Sequence, residues 1–137
     1  FVIEKVLENQ HQLIACNLAA TDMLGHLLPK RYTEGIEAYE SNGEAIYEIA
    51  RCALKNNYKL IITSDHGNIE DNTSSHTSND ILTTLVDKNS IEPIFRNEYI
   101  INLYDICPTI AKILCFKTDF EVEEKNYYNG TPFAKLN

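Results

Sequence analysis

The pattern of apolar and polar positions predicts three helices. Residues 1–10 and residues 36–54 carry apolar side chains at a 3.6-residue spacing, which predicts two amphipathic helices. Thr33 is the candidate N-cap of the longer helix, because its hydroxyl can accept a hydrogen bond from the first turn. A third helix is predicted from about Asp105, with Pro108 tolerated in its first turn.

Short apolar runs between these helices predict strands. The runs cover residues 13–16, 60–63 and 81–86. Strands that alternate with amphipathic helices are typical of βαβ units, so the predicted fold class is α/β, with a mostly parallel sheet flanked by helices. Ligands bind such sheets at the carboxyl ends of the strands. The polar residues 67–80 connect the last two predicted strands and form a candidate functional loop.

Three of the four histidines follow apolar runs and lie in company suited to metal binding. Asp22 and His26 are four positions apart, so on a helical turn they would share one face. Asp65 and His66 directly follow the second predicted strand, and His76 lies on the polar loop behind them. His76 would complete the ligand set begun by Asp22 and His26, and the adjacent Asp-His pair forms half of a second set. This pattern is typical of a two-metal hydrolytic or phosphoryl-transfer centre.

Each of these elements alone has an ordinary structural explanation. An Asp-x-x-x-His pair is more often a solvated helix face, and an Asp-His pair at a strand end can serve as a cap. An isolated loop histidine such as His76 is more often simply exposed. The metal interpretation therefore depends on all five residues lying at one edge of the predicted sheet. His11 has no such neighbours and is predicted to be a surface residue.

Composition narrows the possible partners. The 137 residues carry a formal net charge of −8 and no basic stripe, which argues against a nucleic-acid partner. An acidic protein that handles an anionic substrate needs local positive charge, and bound metal can supply it. No run approaches the ~18 apolar residues of a membrane helix, and the first residues do not resemble a signal peptide. A cytoplasmic protein without a membrane partner is expected, with its four scattered cysteines reduced.

Four segments carry a resemblance to a known family. NLAATDMLGH, LIITSDHGNIED, HTSN and LYDICPTIAKILCF occur in this order along the chain. Together they resemble the C-terminal part of the phosphatase domain of cofactor-independent phosphoglycerate mutases, in the alkaline phosphatase superfamily, over about residues 10–133. The resemblance implies an alkaline-phosphatase-like fold, of which residues 1–137 are an incomplete fragment. The N-terminal segment and the substrate-binding domain are then expected outside this chain, which does not begin with methionine.

The resemblance also implies two divalent metal ions, with manganese preferred. Asp and His ligation suits zinc, cobalt or iron as well, and magnesium is a further alternative. In the family, the Asp and His of the first motif and the His of the HTSN motif bind one ion. These correspond to Asp22, His26 and His76. The Asp-His pair of the second motif, here Asp65 and His66, binds the other ion with an aspartate and a nucleophilic serine from near the enzyme's N-terminus. That serine is expected upstream of this chain, so the isolated chain is expected to be inactive.

The implied reaction is the glycolytic interconversion of 3-phosphoglycerate and 2-phosphoglycerate through a phosphoserine intermediate. The partner is then a small phosphoglycerate, and the full-length enzyme is expected to be a monomer. The chain departs from the family pattern beside the ligands, at Ala20, Thr21, Leu27, Leu28 and Thr73. Two alternatives stay open: another phosphomutase or phosphodiesterase of the same superfamily, and a non-catalytic module that keeps the fold.

Overall fold

The computed structural model describes residues 1–88 and 102–115, which fall in two compact units, Phe1–Ile94 and Phe95–Asn137. The described elements of the first unit are α1 (Val2–Glu8), α2 (Ala20–Gly25), α3 (Tyr32–Lys55), β1 (Leu60–Ile62), a 3-10 turn (Ile69–Asp71) and β2 (Thr84–Val86). Those of the second unit are a 3-10 turn (Leu103–Asp105) and α4 (Ile106–Ile113). The described residues therefore form a small α/β fragment.

The long helix α3 organises the first unit. It packs against both α1 and α2 and also contacts β1. Its start differs from the prediction, because α3 begins at Tyr32 with Arg31 in the N-cap position, and Thr33 lies inside the first turn. The Arg31 guanidinium donates a hydrogen bond to the Glu34 carboxylate at 3.2 Å, and a carboxylate in the first turn favours a helix start there. The predicted N-cap role of Thr33 is therefore wrong.

The two described strands do not confirm the predicted mostly parallel sheet. β1 and β2 are antiparallel, with Ile61 opposite Leu85 in the middle of the register. A parallel pair needs a crossover of a dozen or more residues, usually a helix, to return the chain to the same end of the sheet. The connection here, residues 63–83, is long enough for such a crossover but contains no α-helix, and its described element is the 3-10 turn Ile69–Asp71. A mostly parallel sheet is thus not seen in the described residues, and the α/β class alone is observed.

One of the predicted strands is absent from the described residues, and another is shorter than predicted. Residues 13–16 form no strand within the described part of the chain, and the side chain of Leu13 is 56% exposed. In the run 81–86 only Thr84–Val86 pairs with a neighbour, while Leu82 is 64% exposed. The apolar runs therefore predicted strands that are longer than those observed. A run forms a strand only over the residues that pair with a neighbouring strand.

The predicted helix near Asp105 is confirmed in the second unit. A reciprocal capping box precedes α4, in which the backbone N–H of Asn102 donates to the Asp105 carboxylate at 2.8 Å. The Thr109 hydroxyl, fully buried, donates to the Asp105 carbonyl oxygen at 2.7 Å. Pro108 lies in the first turn, as predicted. The tail from residue 116 onward lies outside the described residues.

Two further observations concern the cysteines and the length of the helices. All four cysteines are free thiols, with Cys52 half-buried and the other three exposed. Among residues 1–88 and 102–115, no helix has both the length and the apolar character that crossing a lipid bilayer requires.

Candidate metal centre

The short helix α2 presents the first two predicted ligands on one side. Asp22 lies inside the helix and His26 is its C-cap, and the His26 backbone N–H donates to the Asp22 carbonyl oxygen at 3.1 Å. This single helical turn places His26 Nε2 3.4 Å from Asp22 Oδ1. The four-residue spacing therefore brings the two side chains together, as the helical period requires.

A bridge between two loop segments brings the other histidines together. Gly67 and Thr77 form an isolated antiparallel bridge, in which the Thr77 backbone N–H donates to the Gly67 carbonyl oxygen at 2.8 Å. His66 and His76 immediately precede these two residues. Their imidazole rings stack with centroids 3.6 Å apart and an interplanar angle of 19°. The bridge therefore joins the end of the β1 segment to the loop that carries His76.

Three candidate ligand atoms from α2 and this loop converge on one point. Asp22 Oδ1, His26 Nε2 and His76 Nε2 lie 3.1–3.4 Å from one another. With metal–ligand bonds of about 2.0–2.2 Å, neighbouring ligand atoms of one ion are about 3.0–3.5 Å apart in octahedral or tetrahedral geometry. The spacing of these atoms therefore fits the ligands of a single ion.

His66 also belongs to this cluster. One ligand atom each from Asp22, His66 and His76 lie within 4.8 Å of one another. In two-metal sites the ions are ~3.5–4 Å apart, so ligands of one ion lie close to ligands of the other. The short distance from His66 to Asp22 and His76 is therefore compatible with a ligand of a second ion. Asp65 lies at the margin: its Oδ1 is 3.6 Å from His66 Nε2 and its side chain is 83% exposed. His11 lies elsewhere on the surface, with its Nε2 3.5 Å from the Glu8 carboxylate.

Backbone carbonyl groups determine which ring nitrogen faces the cluster. His26 Nδ1 lies 3.0 Å from the Ser74 carbonyl oxygen, and His66 Nδ1 lies 3.2 Å from that of Gly67. A carbonyl oxygen only accepts, so Nδ1 carries the proton and Nε2 of the neutral ring keeps its lone pair. Metal-binding histidines usually donate their second N–H in this way. The donor set thus fits a divalent ion in chemistry as well as in spacing.

Asp22 is held in its charged form. A hydrogen bond from the Asn68 side-chain amide, 2.7 Å from Asp22 Oδ1, is the main cause that lowers the pKa of this carboxyl group. Partial burial opposes this effect, and the neighbouring imidazoles, when protonated, lower the pKa of Asp22 further by their charge. Asp22 is therefore ionised at neutral pH, which is the form that binds a cation.

Two residues that the sequence did not single out contact or position the predicted ligands. Asn68, whose side-chain amide contacts Asp22, is only 7% exposed. Glu70 accepts hydrogen bonds from the Asn68 backbone N–H at 2.8 Å and from the Asn79 side chain at 3.2 Å. The Thr77 hydroxyl donates a third hydrogen bond to the Glu70 carboxylate. Glu70 thereby ties the turn after β1 to the loop of His76. Both residues lie within the second motif, but no periodicity marks a loop asparagine as buried.

The Glu70 network predicts a pH-dependent contribution to stability. The hydrogen bond from Thr77 is the first cause that lowers the pKa of Glu70 from 4.5 to about 2. Because the folded-state pKa is the lower one, the contribution is complete above pH 4.5 and is lost as the pH falls from there toward 2. Glu70 is exposed, so we expect only ~1 kcal/mol after solvent screening.

Glu70→Gln should therefore lower the free energy of unfolding at neutral pH and flatten its fall on acidification. Urea unfolding followed by circular dichroism, from neutral pH down to the acid limit of the folded state, measures both effects. Glu44→Gln, an exposed position in α3, provides the same change of charge away from the network. Parallel pH profiles for the wild type and Glu70→Gln would contradict the assignment.

Comparison with known proteins gives one family and a consistent set of relatives. A family model described as the Metalloenzyme superfamily matches residues 1–118. Proteins named 2,3-bisphosphoglycerate-independent phosphoglycerate mutase are similar to the chain. Those from Brugia malayi and Onchocerca volvulus are 31% and 32% identical over 120 and 123 residues, each match covering 82% of this chain and 23% of the relative. One from Campylobacter jejuni subsp. doylei is 31% identical over 129 residues, covering 89% of this chain and 25% of the relative.

The chain thus spans about a quarter of the length of the curated relatives it matches. No solved structure matches it. The residues that the family model matches include α2, β1 and the loop that carries His76. All of the converging candidate ligand atoms therefore lie within the match.

Proposed function

Because the chain belongs to the Metalloenzyme superfamily, we propose that it supplies metal ligands to a phosphoglycerate mutase, which interconverts 3-phosphoglycerate and 2-phosphoglycerate through a phosphoserine. The names of the relatives support this reaction. The observation that carries the proposal is the convergence of Asp22 Oδ1, His26 Nε2 and His76 Nε2 at 3.1–3.4 Å.

The proposed ligand sets account for two divalent ions. Asp22, His26 and His76 would hold one ion, and the pair Asp65 and His66 would contribute to the other. Mixed imidazole and carboxylate ligands suit manganese, zinc or cobalt, and we propose manganese, with magnesium as a further alternative. When bound, such ions neutralise phosphoryl charge and activate a hydroxyl nucleophile.

The chain's own residues prepare the site for this role. The Asn68 amide keeps Asp22 charged, and the Ser74 carbonyl oxygen orients His26 so that its Nε2 lone pair is available. The net charge of −8 would repel an anionic substrate, so positive charge at the site is needed for binding. A metal ion held by Asp22, His26 and His76 would provide that charge.

We further infer that the remaining machinery lies in other parts of a longer protein. The nucleophilic serine, its partner aspartate and the substrate-binding domain would be contributed from there. Residues 1–137 would be the C-terminal part of the phosphatase domain, whose complete sheet would be mostly parallel and alkaline-phosphatase-like. The complete protein would be a cytoplasmic monomer that acts in glycolysis.

Activity measurements test this proposal directly. The complete gene product that contains this chain should convert 3-phosphoglycerate to 2-phosphoglycerate with manganese, followed by ³¹P NMR. The 137-residue chain alone should show no turnover, because its residues are proposed to hold the ions and not to attack phosphate. Activity only on phosphopentoses or phosphodiesters would favour another member of the superfamily. A complete protein that binds manganese but is inert on every substrate would be a non-catalytic module.

A further inference from the structure

Asn68 is buried, yet only one end of its amide is satisfied. Its Nδ2 donates to Asp22 Oδ1 at 2.7 Å, while its Oδ1 is buried without a hydrogen-bond partner among the described residues. The orientation of the amide follows from chemistry, because a carboxylate only accepts and must face the NH₂ group. A buried unsatisfied oxygen is unfavourable, so the retained contact with Asp22 calls for a functional explanation.

Gly25 provides the space that Asn68 occupies. Gly25 is buried in α2, the same helix that carries Asp22. A Cβ at this position would lie 2.5 Å from Asn68 Cγ and still closer to its Oδ1, which is too close for any real side chain. The close approach of the amide to α2 is therefore possible only because residue 25 has no side chain.

The backbone of Asn68 is held independently of Asp22. Its N–H donates to the Glu70 carboxylate at 2.8 Å, and the Thr77 hydroxyl holds the same carboxylate from the other side. The amide of Asn68 is thus fixed by the turn after β1, while its target Asp22 belongs to α2. The hydrogen bond between them connects the two elements that carry the ligands.

We propose that Asn68 is a positioning residue for the metal centre, whose amide fixes the orientation of the Asp22 carboxylate toward the histidines, and that Gly25 is required to admit it. The inference rests on the proposed metal site. Asn68 does not touch the ion; it acts through Asp22. Residues that support a metal ligand in this way typically change metal affinity by ~10–100-fold.

The first test is a calorimetric titration of the 137-residue chain with Mn²⁺. Asn68→Ala should weaken binding by ~10–100-fold. Asn56→Ala should leave the affinity unchanged, although it removes a comparable side-chain hydrogen bond, 2.9 Å to the Cys52 carbonyl oxygen in α3. If the wild type binds Mn²⁺ and Asn68→Ala binds equally well, the inference is overturned while the metal site stands. If the wild type does not bind, the proposed function fails.

A double-mutant cycle separates positioning from general damage. Gly25→Ala should weaken Mn²⁺ binding about as much as Asn68→Ala, because the added methyl group displaces the amide. The double variant Gly25→Ala/Asn68→Ala should bind no more weakly than either single variant, since neighbouring residues that act through one contact are not additive. Fully additive losses would overturn the role given to Gly25.

A measurement on the wild type keeps the inference testable if a variant does not fold. In a ¹⁵N-labelled chain, the Asn68 side-chain NH₂ resonances should shift on addition of Zn²⁺, with the same stoichiometry as the His26 ring resonances. Histidine shifts without any response at Asn68 would overturn the inference.

Discussion

Replacing His76 with alanine should weaken Mn²⁺ binding by about 100-fold or more. His76 Nε2 lies 3.1 Å from His26 Nε2 and 3.2 Å from Asp22 Oδ1, so its removal takes one of three converging ligand atoms from the site. Residues that only support a ligand contribute ~10–100-fold, and a direct ligand should reach or exceed the upper end of that range. Isothermal titration calorimetry of the 137-residue chain measures the change.

His11→Ala is the matched control. His11 is an exposed histidine whose Nε2 lies 3.5 Å from a Glu8 carboxylate oxygen, so the same substitution there should leave Mn²⁺ affinity unchanged. Equal affinities for His76→Ala and the wild type would remove His76 from the ligand set and with it the basis for the metal centre. A uniform loss in both variants would point to non-specific binding by surface histidines.

Replacing Gly67 with alanine should lower the free energy of unfolding by ~2 kcal/mol. A Cβ on Gly67 would overlap the Glu70 carboxylate and the Thr77 hydroxyl, so the methyl group must push apart the network that closes the bridge. The bridge brings His66 and His76 together, so Mn²⁺ affinity should fall as well. Gly67 has no positive φ angle, and the effect is therefore one of space and not of backbone conformation.

Gly43→Ala should have the opposite sign. A Cβ on Gly43 meets nothing within 4 Å, and the residue lies in the middle of α3. Alanine there should stabilise the chain by ~1 kcal/mol through helix propensity alone. Urea unfolding of both variants, with Mn²⁺ titration of each, gives the comparison. A neutral or stabilising effect of Gly67→Ala would contradict the role given to the bridge.

The helices were more predictable than the strands for a physical reason. Apolar spacing predicted α1, α3 and α4, because a helix is set by residues three and four positions apart. The pairing of β1 with β2 depends on residues far apart in the chain, and neither its antiparallel direction nor its short length followed from the apolar runs. The run at residues 13–16 shows the same limit, since it has the composition of a strand but forms none.

The predicted ligands show the same difference between contacts within a helical turn and contacts between distant segments. The approach of Asp22 and His26 followed from their spacing on a helical turn, whereas the approach of His76 depends on the bridge at Gly67, which periodicity does not reveal. His76 was proposed because it lies on the polar loop behind Asp65 and His66, and the motif resemblance implied the same role. The burial of Asn68 against Gly25 was visible in neither spacing nor motif, because a close approach between two segments is a property of packing.

The most direct test of the metal centre is X-ray diffraction from crystals of the 137-residue chain grown with Mn²⁺, measured for anomalous scattering. We expect an anomalous peak at about 2.0–2.3 Å from Asp22 Oδ1, His26 Nε2 and His76 Nε2. Manganese bound by other side chains, with these three left uncoordinated, would contradict it.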